Sequence, residues 1–472
     1  MGVHFQENWE KTRYESDHIL HLNGQEIPYH SVCEDNFFYN DEGKAVATIY
    51  SYSYFRSDVE DPSTRPVLFA YNGGPGSASL WLHLGIIGPR RVKLENEMEL
   101  PTVPPFALED NPNCLLDICD VVVVDMVGTG LGRLFDESAK EDFYGSDADI
   151  RQLAMFVDGW LTRYDRHNSP VLLAGESYGT GRSALLAAEL LGGGPDNQDT
   201  LGISVSGILL LGSYFFEPTH FPNTALSLPS LAATHWYHKP EGKASLRDFV
   251  QESYDFVSNE YVSAFYQGDA LSPEKKAAIV EKLAYFTGLD SDYLNQNWQS
   301  INTRDYMKLL LKDEHKVVGF YDSRYKWNDL PNIPDANVIA DDAAMGQYTP
   351  AYQAGFALLR KEMNIAVERR SKGLAHGVNR SWDRKVKRGP GQALALAMRR
   401  NPSLQVFFAS GLYDLCTTAG NARYLATHNR LDQNRVMIGE YPSGHMAYLG
   451  EESAKLLGDD LRTFVMKSTG MK

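Results

Sequence analysis

Four cysteines in 472 residues are few, and Cys33, Cys114, Cys119 and Cys416 show no metal-ligand spacing. Cys114 and Cys119 form a C-x4-C pair with no second pair to complete a zinc site, so no metal is expected. Free thiols in a reducing compartment are the expected state. Residues 1–30 hold no apolar core of the signal-peptide kind, and no apolar run nears the ~20 residues that span a bilayer. A cytoplasmic protein without a membrane partner is therefore expected. Basic residues are also in deficit: 45 Lys+Arg against 61 Asp+Glu leaves −16, which argues against a nucleic-acid partner. No repeat marks a solenoid or propeller. No glycine cluster ends in G-K-[ST], and no G-x-G-x-x-G opens a βα unit, so no nucleotide cofactor is expected.

Apolar residues are plentiful. At 43% hydrophobic and 22% charged, the chain has enough apolar surface to offset the entropy of ordering. From Pro66 onward, short β-branched or aromatic runs alternate with amphipathic stretches. Val67–Tyr71, Val121–Asp125, Val171–Ala174, Ile208–Leu211, Val406–Ser410 and Val436–Tyr441 read as strands buried on both faces. Ser146–Tyr164 reads as a helix capped by Ser146 and Asp147. This rhythm predicts an α/β fold with a mostly parallel central sheet flanked by helices. Phe37–Tyr39 and Ala45–Tyr54 read as leading antiparallel strands.

The rhythm breaks after Leu211 and resumes only at Leu404. The intervening block is too long for a connection and predicts an inserted, mainly helical cap over 216–391. It splits the sheet domain into 1–215 and 392–472. Helices are expected at Leu246–Tyr266 and Pro273–Phe286, with a loop at Leu330–Pro334. The basic stretch Arg380–Arg388 reads as a solvated, mobile loop rather than a partner site.

The strand Val171–Ala174 runs into Gly175-Glu-Ser177-Tyr-Gly179 and then an Ala/Leu-rich helix. A serine on such a strand-to-helix turn is a candidate nucleophile, the alternative being a glycine-rich turn that only packs. Its partners should follow in the order carboxylate, then histidine. His445, just past the last strand, is the candidate base, and Asp414, after the penultimate strand, the candidate acid. A turn histidine and a helix-capping Asp are the respective alternatives. His428 ends a helical stretch, where a cation simply suits the helix terminus. Oxyanion donors are expected from Tyr178 and from the loop Asn72-Gly-Gly74-Pro-Gly76.

Taken together, NGGPGSAS from Asn72, GESYG from Gly175, and GLYD and SGHM around Asp414 and His445 resemble the serine carboxypeptidase family. Val124–Gly132 resembles a further loop of that family. The resemblance implies an α/β-hydrolase fold with a helical insertion, acting on a peptide substrate through an acyl-enzyme. It implies Ser177 as nucleophile, Asp414 and His445 as acid and base, and Gly74 with Tyr178 as the oxyanion hole. It further implies that Asn72 and Glu176 hydrogen-bond the substrate's terminal carboxylate.

The chain departs from better-known members at three positions. Ala70 stands for their Trp, Ile86 for a second carboxylate, and Ser77 for a cysteine. Terminal-carboxylate binding is therefore expected to be weaker, or rebuilt from Arg90 or Arg91, unless both arginines face solvent. Activity is expected to extend to neutral pH. Cys416 is expected to be an inert buried thiol rather than a reagent-sensitive one. An esterase or acyltransferase on the same fold, or a catalytically silent binding protein, are the alternative functions. Oligomeric state is left open.

Overall fold

A computed structural model describes residues 10–94, 96–99, 103–192, 200–217, 219–240, 242, 244–330 and 342–471. Its main sheet contains β1 (Arg13–Leu22), β2 (Gln25–Tyr39), β3 (Ala45–Arg56), β4 (Val67–Tyr71) and β5 (Asp120–Asp125). It continues with β6 (Val171–Glu176), β7 (Val205–Leu211), β8 (Gln405–Gly411) and β9 (Val436–Tyr441). The order is β1-β2-β3-β5-β4-β6-β7-β8-β9, with Arg133–Leu134 paired on β3. β1, β2, β3 and β5 pair antiparallel, and the remaining neighbours pair parallel.

Each apolar run named above lies on a strand, and β4 and β9 have the expected ends. β4, β5 and β6 are buried along their whole length, as parallel strands covered on both faces must be. One face packs on helices Ser146–Arg163, Tyr178–Leu190 and Pro390–Arg400 through Leu153, Trp160, Leu186 and Leu394. The other packs on Ala343–Glu362 and Glu451–Thr469 through Phe356, Leu461 and Phe464. β1 had no counterpart in the sequence reading, because this mostly exposed edge strand alternates polar residues and carries few apolar ones.

Between β7 and β8 the chain forms mainly helices with an apolar core of their own, including Leu231, Phe249, Phe286 and Trp298. Leu246–Tyr266 is helical throughout, as expected, with a π segment at Val257–Tyr261 between Leu246–Phe256 and Val262–Gln267. Residues 331–334 of the expected Leu330–Pro334 loop lie outside the described residues. No helix among the described residues is long and apolar enough to cross a membrane.

One local expectation is corrected and another refined. Helix Ser146–Arg163 has Gly145 at its cap position, and the Ser146 hydroxyl bonds Tyr178 Oη at 2.8 Å instead of capping. The basic stretch Arg380–Arg388 is largely exposed, as expected, but is anchored at Trp382 and Asp383. Trp382 is buried, donates to Tyr178 Oη at 3.0 Å, and the Asp383 carbonyl accepts from Ser146 N at 2.9 Å.

Arg369 ties the return from the insertion to the antiparallel strands. Its guanidinium donates to both Asp35 carboxylate oxygens, at 2.7 and 2.6 Å, with both side chains fully buried. Asp35 also accepts from Thr12 and Thr48, so the pair is well satisfied. Removing one partner strands a buried charge, which costs about 3–5 kcal/mol. Arg369→Met should lower unfolding free energy by that amount in urea titrations, and adding Asp35→Leu should recover part of it. An unchanged midpoint for Arg369→Met would refute this.

Candidate active site

The parallel strands deliver their carboxyl ends to one edge of the sheet, where open α/β sheets place ligands. β6 ends at Glu176, and Ser177 turns the chain with φ 60° and ψ −126° before helix Tyr178–Leu190 begins. That conformation costs a residue with a Cβ roughly 1–3 kcal/mol, so its surroundings must enforce it. They do so by close backbone approach. A Cβ on Gly175 would lie 2.1 Å from Gly179 O, and one on Gly73 would lie 2.4 Å from Tyr178 N. Ser177 N is held by Leu211 O at 2.8 Å. Tyr178 opens its helix, so its N–H has no intrahelical acceptor. Gly73 and Gly74 follow β4 and bring their loop against it, and Gly74 lines the same cleft as Ser177.

Asp414 follows β8 and His445 follows β9, and the structure brings them together: Nδ1 of His445 lies 2.8 Å from Asp414 Oδ2. Asp414 is fully buried and also accepts from Cys416 N, Thr417 N and Thr417 Oγ1 at 2.7, 2.9 and 2.5 Å. It thus holds its own loop as well as the imidazole. His445 lines the cleft with Ser177. Burial opposes the imidazolium, but the Asp414 charge and hydrogen bond, with help from Glu176 and Asp342, raise His445 above its ordinary pKa.

The sequence reading missed what fixes these two loops. Residues 320–324 of the insertion thread between them. Phe320 O accepts from Leu415 N at 3.1 Å, Tyr321 O from His445 N at 2.6 Å, and Tyr413 O from Ser323 N at 3.0 Å. Arg324 pairs with Asp322 at 2.7 Å and donates to Ser443 Oγ and Pro442 O, both at 3.2 Å. The Tyr321 ring stands edge-on to the imidazole at 5.1 Å. No local pattern marks this segment, because its role is made by backbone groups.

Glu176 is buried one residue before Ser177. Its oxygens accept from Asn72 Nδ2 at 2.7 Å and from the Tyr448 hydroxyl at 2.8 Å. Burial pushes this carboxyl up to about 7; the nearby His445, Tyr448 and Asn72 pull it back down, while the Asp414 charge adds to the rise. Tyr448 was also missed, since one tyrosine after a histidine motif carries no spacing signal. Ile86 is buried in the apolar core, and Ala70 lies inside β4.

Neither arginine reaches this site. Arg90 is held by Asp110 and Glu362, and Arg91 by Glu109 and Glu451, so the expectation of a rebuilt cation is overturned. The local cause is the short hairpin of Arg90–Val92 with Leu108–Asp110, which supplies both arginines with carboxylates. Cys416 is not the fully buried thiol expected: it is partly exposed and lines a second pocket, while burial of its sulfur and the Asp414 charge push the thiol well above its ordinary value. The cleft encloses about 630 Å³ including its mouth, and Trp81, Met345, Tyr348 and Leu374 supply apolar wall.

Glu176 generates a stability prediction. The unfolded carboxyl ionises above about 4.5 while the folded one keeps its proton to about 7. Folding therefore takes up a proton in that window, and stability falls as pH rises through it, by on the order of 3 kcal/mol. Glu176→Gln lacks this term, so its stability relative to wild type should improve between about pH 5 and pH 8 in urea titrations. Parallel profiles would contradict it.

A family model described as serine carboxypeptidase matches residues 39–324. Serine carboxypeptidase-like 36 of Arabidopsis thaliana is 28% identical over 162 residues, 34% of this chain and 31% of that protein. The match thus spans less than a third of that relative's length. The crystal structure of Kex1Δp, a prohormone-processing carboxypeptidase from Saccharomyces cerevisiae, resembles this one with TM-score 0.52 at 13% identity. That likeness covers 92% of this chain and 91% of that one, and shows the α/β-hydrolase fold. With the family model matching more than half of its residues, the chain belongs to the serine carboxypeptidase family.

Proposed function

We propose that this protein is a serine-type carboxypeptidase that removes C-terminal residues from peptides. Ser177 attacks the carbonyl of the last peptide bond while His445 Nε2 takes the hydroxyl proton. Asp414 holds the Nδ1–H tautomer and stabilises the imidazolium. The N–H groups of Gly74 and Tyr178 stabilise the tetrahedral oxyanion. His445 then protonates the leaving amine, and water releases the acyl group by the same steps in reverse order. No metal or organic cofactor takes part in these steps.

The observation that carries this reading is the hydrogen-bonded group of Asn72 and Glu176 in the cleft beside Ser177. A protonated Glu176 donates to a substrate carboxylate, whereas an ionised one repels it. Activity on free-acid peptides should therefore rise as His445 loses its proton and fall as Glu176 loses its own, which places the optimum near neutrality. An optimum near pH 4–5 would sink this assignment. We also propose a cytoplasmic location, which the four free thiols support.

A fluorophosphonate probe should label wild type and not Ser177→Ala, and blocked dipeptides with a free C-terminus should be cleaved far faster than their amides. Absence of labelling would favour a silent binding protein. Labelling without preference for the free acid would favour an esterase or acyltransferase.

A further inference from the structure

We infer that Tyr448 is a specificity-determining residue that completes the receptor for the substrate's terminal carboxylate by holding Glu176 from the side opposite Asn72. The inference rests on the carboxypeptidase reading and deepens it. Its basis is geometric. Asn72 Nδ2 donates to one Glu176 oxygen at 2.7 Å and the Tyr448 hydroxyl to the other at 2.8 Å. Each carboxyl oxygen then has one lone pair engaged, which fixes the carboxyl plane in the wall of the cleft.

The fold makes room for this phenol. A Cβ on Gly85 would lie 2.1 Å from Cε2 of the Tyr448 ring, so the turn His83–Ile87 has a glycine where the ring passes. The neighbouring Ile86 is apolar and fully buried, and offers Glu176 no side-chain partner. The charged or titratable groups facing Glu176 are His445, Asp414, Tyr352 and Tyr448. The two tyrosines stay neutral, since burial holds both phenols above their ordinary range. A phenol therefore supplies a hydrogen bond without adding a negative charge beside an incoming carboxylate. A carboxylate in its place would have to share a proton with Glu176 to do the same.

The test is steady-state kinetics of Tyr448→Phe on a blocked dipeptide with a free C-terminus and on the ester of the same acyl group. Loss of a hydrogen bond to this buried carboxyl should raise KM for the free acid about tenfold. It should leave kcat, ester hydrolysis and fluorophosphonate labelling of Ser177 within about twofold. Because Tyr448 holds the Glu176 pKa down, the alkaline rise in KM should move to higher pH. Gly85→Ala, which displaces the ring and keeps the hydroxyl, should raise the same KM selectively. Equal losses on both substrates, or an unchanged KM in both variants, would overturn the role of Tyr448 alone. If wild type shows no preference for the free acid, the carboxypeptidase reading fails, and this inference with it.

Discussion

Everything at the site depends on the backbone at Ser177, where a residue with a Cβ is held at φ 60°. Two things hold it there. β4 and β6 are hydrogen-bonded neighbours in parallel register, Tyr71 opposite Gly175, so the chains leaving them run side by side. Glycine at 73 then lets the loop after β4 touch the first turn after β6 through backbone atoms, and glycine at 175 lets that turn fold back on the end of β6. One consequence is that Ser177 lines the cleft with Gly74; the other is that Gly73 meets the backbone N of Tyr178 at close range. A Cβ at either glycine would push these backbones apart and relax the turn.

A second dependence runs through the insertion. Asp414 and His445 sit on loops after neighbouring strands, β8 and β9, which alone would leave both loop tips free to move. The segment 320–324 bonds to both tips through its backbone, and the buried Asp322–Arg324 pair anchors it to Ser443 and Pro442. The insertion is thus part of the scaffold that holds Asp414 and His445, besides walling the cleft with Met345 and Tyr348. Asp414, Asp342 and Asp322, buried near the site, share one condition: each is satisfied by several donors or by a bidentate partner. Glu176 meets it only with neutral donors, so burial leaves its proton on to about 7.

The parallel strands were legible because burial on both faces leaves continuous β-branched runs, and because Gly and Ser at fixed offsets announce the elbow. The order of Ser177, Asp414 and His445 was legible for the same reason: each follows a strand that composition reveals. Edge strand β1 was not, since its polar alternation lacks an apolar face. The Ser146 hydroxyl left its expected cap because Tyr178, distant in sequence, competes for it. Trp382 lay inside a charge-rich stretch, and the charges masked one aromatic that anchors it. Tyr448 and residues 320–324 act through contacts that only the folded chain creates.

The central claim is hydrolysis at the C-terminus through Ser177. It is tested most directly by mass spectrometry of an N-acetylated peptide with a free C-terminus, sampled over time with the full-length protein. The account predicts a ladder of fragments that lose one C-terminal residue at a time and all keep the acetyl group. Internal cleavage without such a ladder, or a peptide that stays intact, would contradict it.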